Sequence, residues 1–171
     1  MNLDIQGLTA GMFYCYIDHE KGLTFELLAL ELENGNFLIA PKEYSYKLRC
    51  RPLLDEEIMI LKDVNTEVFK EKIEAINETY KVSEDILKTR YIKEIDDSRH
   101  SEYPDDVRVF LLKKDKDPEA CWVRITGTNG RKLTGKILTK TMQDFDLELE
   151  EIIEFGTMTM EDNSISCVCI L

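Results

Sequence analysis

The sequence is poor in the residues that mark catalytic and metal-binding sites. It has two histidines and five cysteines among 171 residues, and no two Cys or His pairs have the spacing of a zinc site. Gly127 and Gly130 lead into a strand pattern rather than a helix, so they do not form a phosphate loop. No motif therefore indicates catalysis, a metal or a nucleotide, and we expect no cofactor and assign no catalytic residue.

Basic residues are also scarce. Lys and Arg number 22 against 34 Asp and Glu, which gives a formal net charge of −12. Nucleic acids and anionic membranes attract basic surfaces, so we expect neither as a partner. An acidic surface suits a basic protein partner, and it is equally the surface of an ordinary soluble protein.

Long apolar runs are absent, since none reaches the roughly 20 residues that cross a membrane. The first residues, Met1-Asn2-Leu3-Asp4, lack the basic segment that begins a secretory signal, which leads us to expect a cytoplasmic protein. The cysteines mostly fall in apolar strand patterns, where reduced thiols act as small core residues: Cys15, Cys50, Cys121, Cys167 and Cys169.

The clearest pattern present is a series of strands in the C-terminal part. Asn129-Gly130 is typical of a tight hairpin turn between two of them. Five short segments have the alternation or composition of strands: residues 107–112, 121–126, 133–137, 151–158 and 165–170. Five strands in so short a segment predict a small barrel, and we expect Trp122 to be its largely buried aromatic anchor.

The first half of the chain changes from strand to helix patterns. Strands are predicted over residues 12–17, 23–32, 37–40, 44–50 and, as a short buried strand, 58–61. Phe69, Ile73, Ile76 and Tyr80 then follow one helical face, and Ser83 can cap a second helix. We predict an α+β protein with a β-rich part and two short helices over residues 1–96, and a five-stranded small barrel over residues 97–171.

A family resemblance rests on the strand motifs of the barrel. The segments PDDVRVFLLK, PEACWVRI and LTGKIL, followed by an acidic stretch and EEIIEF, resemble the bacterial family called domain of unknown function 2314. The resemblance covers well under half of the chain and implies a small β-barrel-like domain. The sequence departs from the family at Thr139-Lys140-Thr141 and Glu150-Glu151, where the family has Asn-Glu-Pro and Gly-Asp. The family name implies no activity.

Four residues near the first barrel strands are candidate binding residues: Trp122, Arg124, Asp105 and Asp106. Trp122 and Arg124 share one strand face, where they can form a recognition patch or a cation–π pair. The aspartates, like Asp96-Asp97, can share a metal, meet an arginine of a partner, or simply cap turns.

The remaining candidates are single residues whose neighbours suggest only weak chemistry. His19 and His100 lie in charged turns, where general-base work and mere exposure are both compatible with the sequence. Cys167 and Cys169 point to the same face of the last strand, and they are either half of a metal site or, as we expect, two small core residues.

Two functions are compatible with these observations. The first is a non-enzymatic bacterial binding protein, such as an immunity-type or adaptor protein, that meets a basic protein through an acidic face. Acidic residues cluster at 55–57, 96–97, 105–106 and 144–151, and convergence of the last two clusters would give the barrel such a face. The second is a small hydrolase-like enzyme with a site in the cleft between the two parts. An enzyme needs converging polar groups in a pocket, and a binder needs an exposed patch with an apolar centre.

Overall fold

The computed structural model describes residues 10–50, 53, 57–62, 64–129 and 132–171. Contacts divide the chain into two compact units, Met1–Lys81 and Val82–Leu171. The sequence patterns predict a boundary after residue 96, whereas the structural units divide after residue 81. The second predicted helix therefore belongs to the same unit as the C-terminal strands.

The first unit contains an antiparallel sheet, as predicted. Its strands are β1 (Gly11–Asp18), β2 (Gly22–Glu31), β3 (Phe37–Ile39) and β4 (Lys47–Arg49). β1 pairs with β2 along its whole length, while β3 and β4 pair with different halves of β2. The β1–β2 turn is held by the Asp18 carboxylate, which accepts hydrogen bonds from the backbone N–H groups of Glu20 and Lys21. β2 is consequently the central strand of this unit.

The predicted buried strand at residues 58–61 is wrong. In the structure no strand is present there, and the side chains are exposed by 56% at Ile58, 76% at Met59, 83% at Ile60 and 51% at Leu61. An apolar run becomes a buried strand only where a neighbouring strand accepts its backbone, and none of the described strands does so. Of the acidic cluster at 55–57, residues 55 and 56 lie outside the described residues.

The helical middle is confirmed. A 3-10 turn, Glu67–Phe69, leads into α1 (Lys70–Thr79), and α2 spans Glu84–Thr89. Phe69 and Ile76 are buried, as the four-three-four spacing predicts. Ser83 caps α2, because its Oγ accepts a hydrogen bond from the N–H of Ile86 at 3.3 Å. No helix in the described part of the chain is long and apolar enough to span a membrane.

The second unit is a closed five-stranded barrel, which confirms the predicted fold class. Its strands are β5 (Asp106–Leu112), β6 (Glu119–Asn129), β7 (Lys132–Ile137), β8 (Ile152–Thr159) and β9 (Ile165–Ile170). Neighbours in the barrel are antiparallel except β5 and β9, which close it as a parallel pair. Gly130 of the predicted hairpin turn lies outside the described residues, but the flanking pair Asn129 and Lys132 is in register.

The barrel interior is filled by alternate residues of all five strands. Val107, Val109 and Leu111 of β5 are completely buried, and a 3-10 helix, Lys93–Ser98, adds the fully buried Ile95. Cys121, Val123 and Ile125 point inward, so the residues between them point outward. Trp122 lies on this outer face and is only partly buried, which corrects the expectation that it anchors the core. Among the described residues, the aromatic side chains of the interior are Phe155, which is 1% exposed, and Phe145, which is 2% exposed.

Candidate functional site

The predicted aspartates bind arginines of their own chain. Asp105 accepts two hydrogen bonds from Arg90, at 2.9 and 2.7 Å. Asp106, which is 6% exposed, accepts two from Arg124, at 2.6 and 2.9 Å. Paired bonds between a carboxylate and a guanidinium fix both side chains in one orientation. These contacts tie α2 and β6 to the start of β5, which is a structural role for three of the four predicted binding residues.

Trp122 belongs to an aromatic cluster on the outer face of the barrel. Its ring meets the edge of His100 at 5.0 Å between centroids, and His100 meets Tyr103 at 5.3 Å. His100 is anchored further, since its backbone N–H donates to Asp106 O at 2.8 Å and its Nδ1 accepts from the N–H of Glu102 at 3.1 Å. His100 is thus partly buried among aromatic rings, in contrast to the exposed turn that its sequence neighbours suggest.

An accessible combination of apolar and acidic side chains lies on the segment between β7 and β8. We call residues 138–151 the acidic loop, because it carries five carboxylates and one lysine. Met142 on this loop is 96% exposed and Leu149 is 43% exposed. An open groove of about 610 Å³ lies beside the loop, with Leu111 and Ile137 of the barrel in its lining. The groove has the size of ordinary ligand pockets.

Two side chains from neighbouring barrel segments hold the acidic loop in place. Glu119, the first residue of β6, accepts hydrogen bonds from the backbone N–H groups of Met142 and Gln143. These two bonds lower the pKa of the Glu119 carboxyl. Lys113, which follows β5, donates to Phe145 O at 3.2 Å and to the Asp146 carboxylate. The exposed Met142 is therefore presented on a fixed backbone.

The charges of the acidic loop fall into two groups. Asp146 and Glu150 form ion pairs with Lys113 and Lys136, and the hydrogen bond and charge of Lys113 lower the pKa of Asp146. The other three carboxylates have no salt-bridge partner within the described part of the chain: Asp144, Glu148 and Glu151. Of these three, Asp144 and Glu148 line the groove.

The two acidic clusters of the barrel do not converge. Asp105 and Asp106 lie at the start of β5, whereas the acidic loop contacts Lys113 beyond the end of that strand. The seven residues of β5 separate the two clusters by about 20 Å. Because arginines also neutralise Asp105 and Asp106, the acidic loop is the one of these two clusters that supplies an accessible negative surface.

The first unit contains a buried polar cluster that the sequence analysis did not identify. Glu26, which is 6% exposed, accepts hydrogen bonds from Tyr16 Oη at 3.1 Å and Ser45 Oγ at 3.0 Å. The Lys72 ammonium of α1 donates to Leu27 O at 2.9 Å and to a second carbonyl of the sheet, and burial lowers its pKa. These hydrogen bonds join the helix to the sheet, so the cluster has a structural function.

The cysteines of the barrel interior are packed as core residues. Cys167 and Cys169 are buried core residues, as expected. Burial, together with the neighbouring Cys169, raises the pKa of Cys121 to about 11, so this thiol is protonated at neutral pH. Within the described ranges, no three His, Cys, Asp or Glu side chains are placed to hold a metal ion.

Comparisons of this chain with family models, with curated proteins and with solved structures found no match. The geometry of the acidic loop is therefore the basis on which a function can be proposed. The sequence predicts the acidic residues of this loop but not the roles of Glu119 and Lys113, which position it. Met142 is an apolar residue inside a polar segment, and this pattern could have predicted an exposed contact residue.

Proposed function

We propose that this chain is a non-enzymatic binding protein that takes up a basic segment of a partner protein in the groove beside the acidic loop. The observation that supports this proposal is the exposed Met142 next to the carboxylates of Asp144 and Glu148, all three of which line one groove. An apolar centre with a charged rim is the usual arrangement of a protein-binding surface.

The partner segment should combine both kinds of side chain. A lysine or arginine would pair with Asp144 or Glu148, and an adjacent apolar side chain would pack on Met142 and the apolar lining of the groove. Exposed ion pairs contribute little to affinity individually. The long-range attraction instead accelerates association, and it weakens as salt screens the charges.

A defined peptide tests the proposal. The probe is a fluorescently labelled peptide that alternates lysine with leucine, and its binding to the full chain is followed by fluorescence anisotropy at low and high salt. A second peptide, with every lysine replaced by glutamine, shows whether the charge is needed. We expect binding of the lysine peptide only, with an affinity that falls as salt rises.

The matched variants locate the binding surface. Asp144→Asn with Glu148→Gln should weaken peptide binding about tenfold, since two exposed ion pairs are lost. Glu74→Gln with Glu78→Gln removes the same charge from exposed positions of α1 and should leave binding unchanged. Equal losses in the two double variants would show only a general charge effect and would contradict the proposal.

The natural partner can be sought with the same variants. An extract of the source cell is passed over the immobilised wild-type chain, the loop double variant and the α1 double variant. The expected partner is a basic protein that the wild-type chain and the α1 variant retain and the loop variant releases. We propose no activity from the resemblance to domain of unknown function 2314, because that family implies none.

A further inference from the structure

The first unit exposes a continuous apolar segment that neither the fold nor the proposed function uses. The segment, which we call the apolar strip, is Glu57-Ile58-Met59-Ile60-Leu61-Lys62. Its four central side chains are exposed by between 51% and 83%. Four consecutive apolar residues with this exposure are unusual on a protein that works alone in water.

The composition of the apolar strip is that of a β-strand. It contains two isoleucines, a β-branched residue that favours extended backbone, and neither glycine nor proline. Both faces of an extended strip would be apolar, since Ile58 and Ile60 alternate with Met59 and Leu61. None of the nine strands found among the described residues pairs with it. An unpaired segment of this kind is a template for strand addition by another chain.

The charges at the two ends of the strip indicate that the pairing partner is a second copy of this chain. The strip begins with Glu57 and ends with Lys62, and both of these residues are exposed. Two copies paired antiparallel about a two-fold axis place Glu57 opposite Lys62 of the other copy, twice. The same register places Ile58 opposite Leu61 and Met59 opposite Ile60, so every apolar residue faces an apolar residue.

We propose that the apolar strip is a self-association site, where two copies of the chain pair antiparallel through residues 57–62. The pairing is isologous, because each copy contributes the same six residues, and it therefore closes at a dimer. It brings the exposed apolar side chains into contact with cross-strand neighbours and satisfies strand backbone groups at the same time. A short two-stranded ribbon is only marginally stable. The dimer should therefore form reversibly, and the fraction of chains in the dimer should rise with protein concentration.

A charge-reversal series measured by analytical ultracentrifugation tests the register. Glu57→Lys places lysine opposite lysine at two symmetric positions, and Lys62→Glu places glutamate opposite glutamate. Each single reversal should raise the dimer dissociation constant about tenfold, because two attractive cross-strand pairs become repulsive. The double reversal, Glu57→Lys with Lys62→Glu, restores both pairs and should return the dissociation constant to that of the wild type.

A second pair of variants tests the apolar contact. Ile60→Asp should abolish the dimer, whereas Val68→Asp adds the same charge at a comparably exposed apolar residue, 61% exposed, outside the strip and should not. A wild-type chain that is monomeric at every concentration would overturn the proposal. So would a double reversal that fails to restore association, or an Ile60→Asp variant that associates as strongly as Val68→Asp. Far-ultraviolet circular dichroism confirms that each variant is folded.

Discussion

Trp122 and Phe155 are both large aromatic side chains of the barrel, yet they face opposite sides of its wall. Phe155 is 1% exposed and packs among the inward-facing residues of the core. Trp122 lies on the outer face, where its contacts are the edge of the His100 ring and the surface around it. The position of a residue in the strand alternation, rather than its size, decides which of the two contributes more to stability.

This contrast predicts different costs for truncating the two rings. Phe155→Ala leaves a cavity in the interior and should lower the free energy of unfolding by about 3–5 kcal/mol. Trp122→Ala removes a partly exposed ring and one aromatic contact, and it should cost about 1–2 kcal/mol. Chemical denaturation followed by circular dichroism measures both values. Equal losses would show that Trp122 is as much a core residue as Phe155.

At the scale of elements, β6 and β7 approach each other unusually closely around Gly135. A Cβ atom on Gly135 would lie 2.5 Å from Cγ1 of Val123, 2.8 Å from the carbonyl oxygen of Arg124 and 3.2 Å from the Phe155 ring. Two of these atoms belong to the barrel core and one to the backbone, so the strand has little room to move. β7 requires glycine here for space alone.

A pair of glycine substitutions tests this packing. Gly135→Ala should lower the free energy of unfolding by about 1–3 kcal/mol, the usual range for overpacking a core. Gly156→Ala in β8 is the matched control, because a Cβ there meets no atom within 4 Å, and it should be close to neutral. Thermal unfolding of the two variants provides the comparison, and similar melting temperatures would contradict the close approach of β6 and β7.

The sequence predicted the barrel strands better than their contacts. The hairpin partners β5, β6 and β7 follow one another in the chain, so alternation and turn residues are enough to predict them. The parallel β5–β9 pair joins residues more than fifty positions apart, and no local pattern encodes it. The contacts that Glu119 and Lys113 make with the acidic loop also join residues far apart in the chain, by 23 to 33 positions. Trp122 alternates with Cys121 and Val123, so the strand pattern predicts the outer face for it. The prediction of a buried Trp122 relied instead on the general tendency of a single tryptophan to lie in the core.

At the scale of the whole molecule, the barrel unit includes more of the chain than its five strands. The 3-10 helix before β5 contributes Ile95, which is completely buried in the barrel core. Arg90, which follows α2, forms the two-bond ion pair with Asp105. The segment between residues 82 and 96 therefore completes the barrel rather than linking it to the first unit.

Two truncated chains test this boundary. A chain of residues 82–171 should fold on its own and show cooperative unfolding by tryptophan fluorescence. A chain of residues 97–171 lacks Ile95 and Arg90, and it should be less stable by about 3 kcal/mol or more, since a core residue and the partner of the partly buried Asp105 are missing. Equal stability of the two chains would favour the boundary at residue 96.

The parallel pairing of β9 with β5 has a consequence during synthesis. β5 leaves the ribosome first among the barrel strands. One of its edges pairs with β6, which follows directly, but the other edge pairs with β9, residues 165–170, which is synthesised last. At a translation rate of about 5–20 residues per second, β5 waits several seconds for that partner. Throughout this interval each nascent chain carries an open strand edge with apolar side chains, close to the other nascent chains of the same polysome. Chaperone protection of these nascent chains would therefore matter most before β9 has emerged.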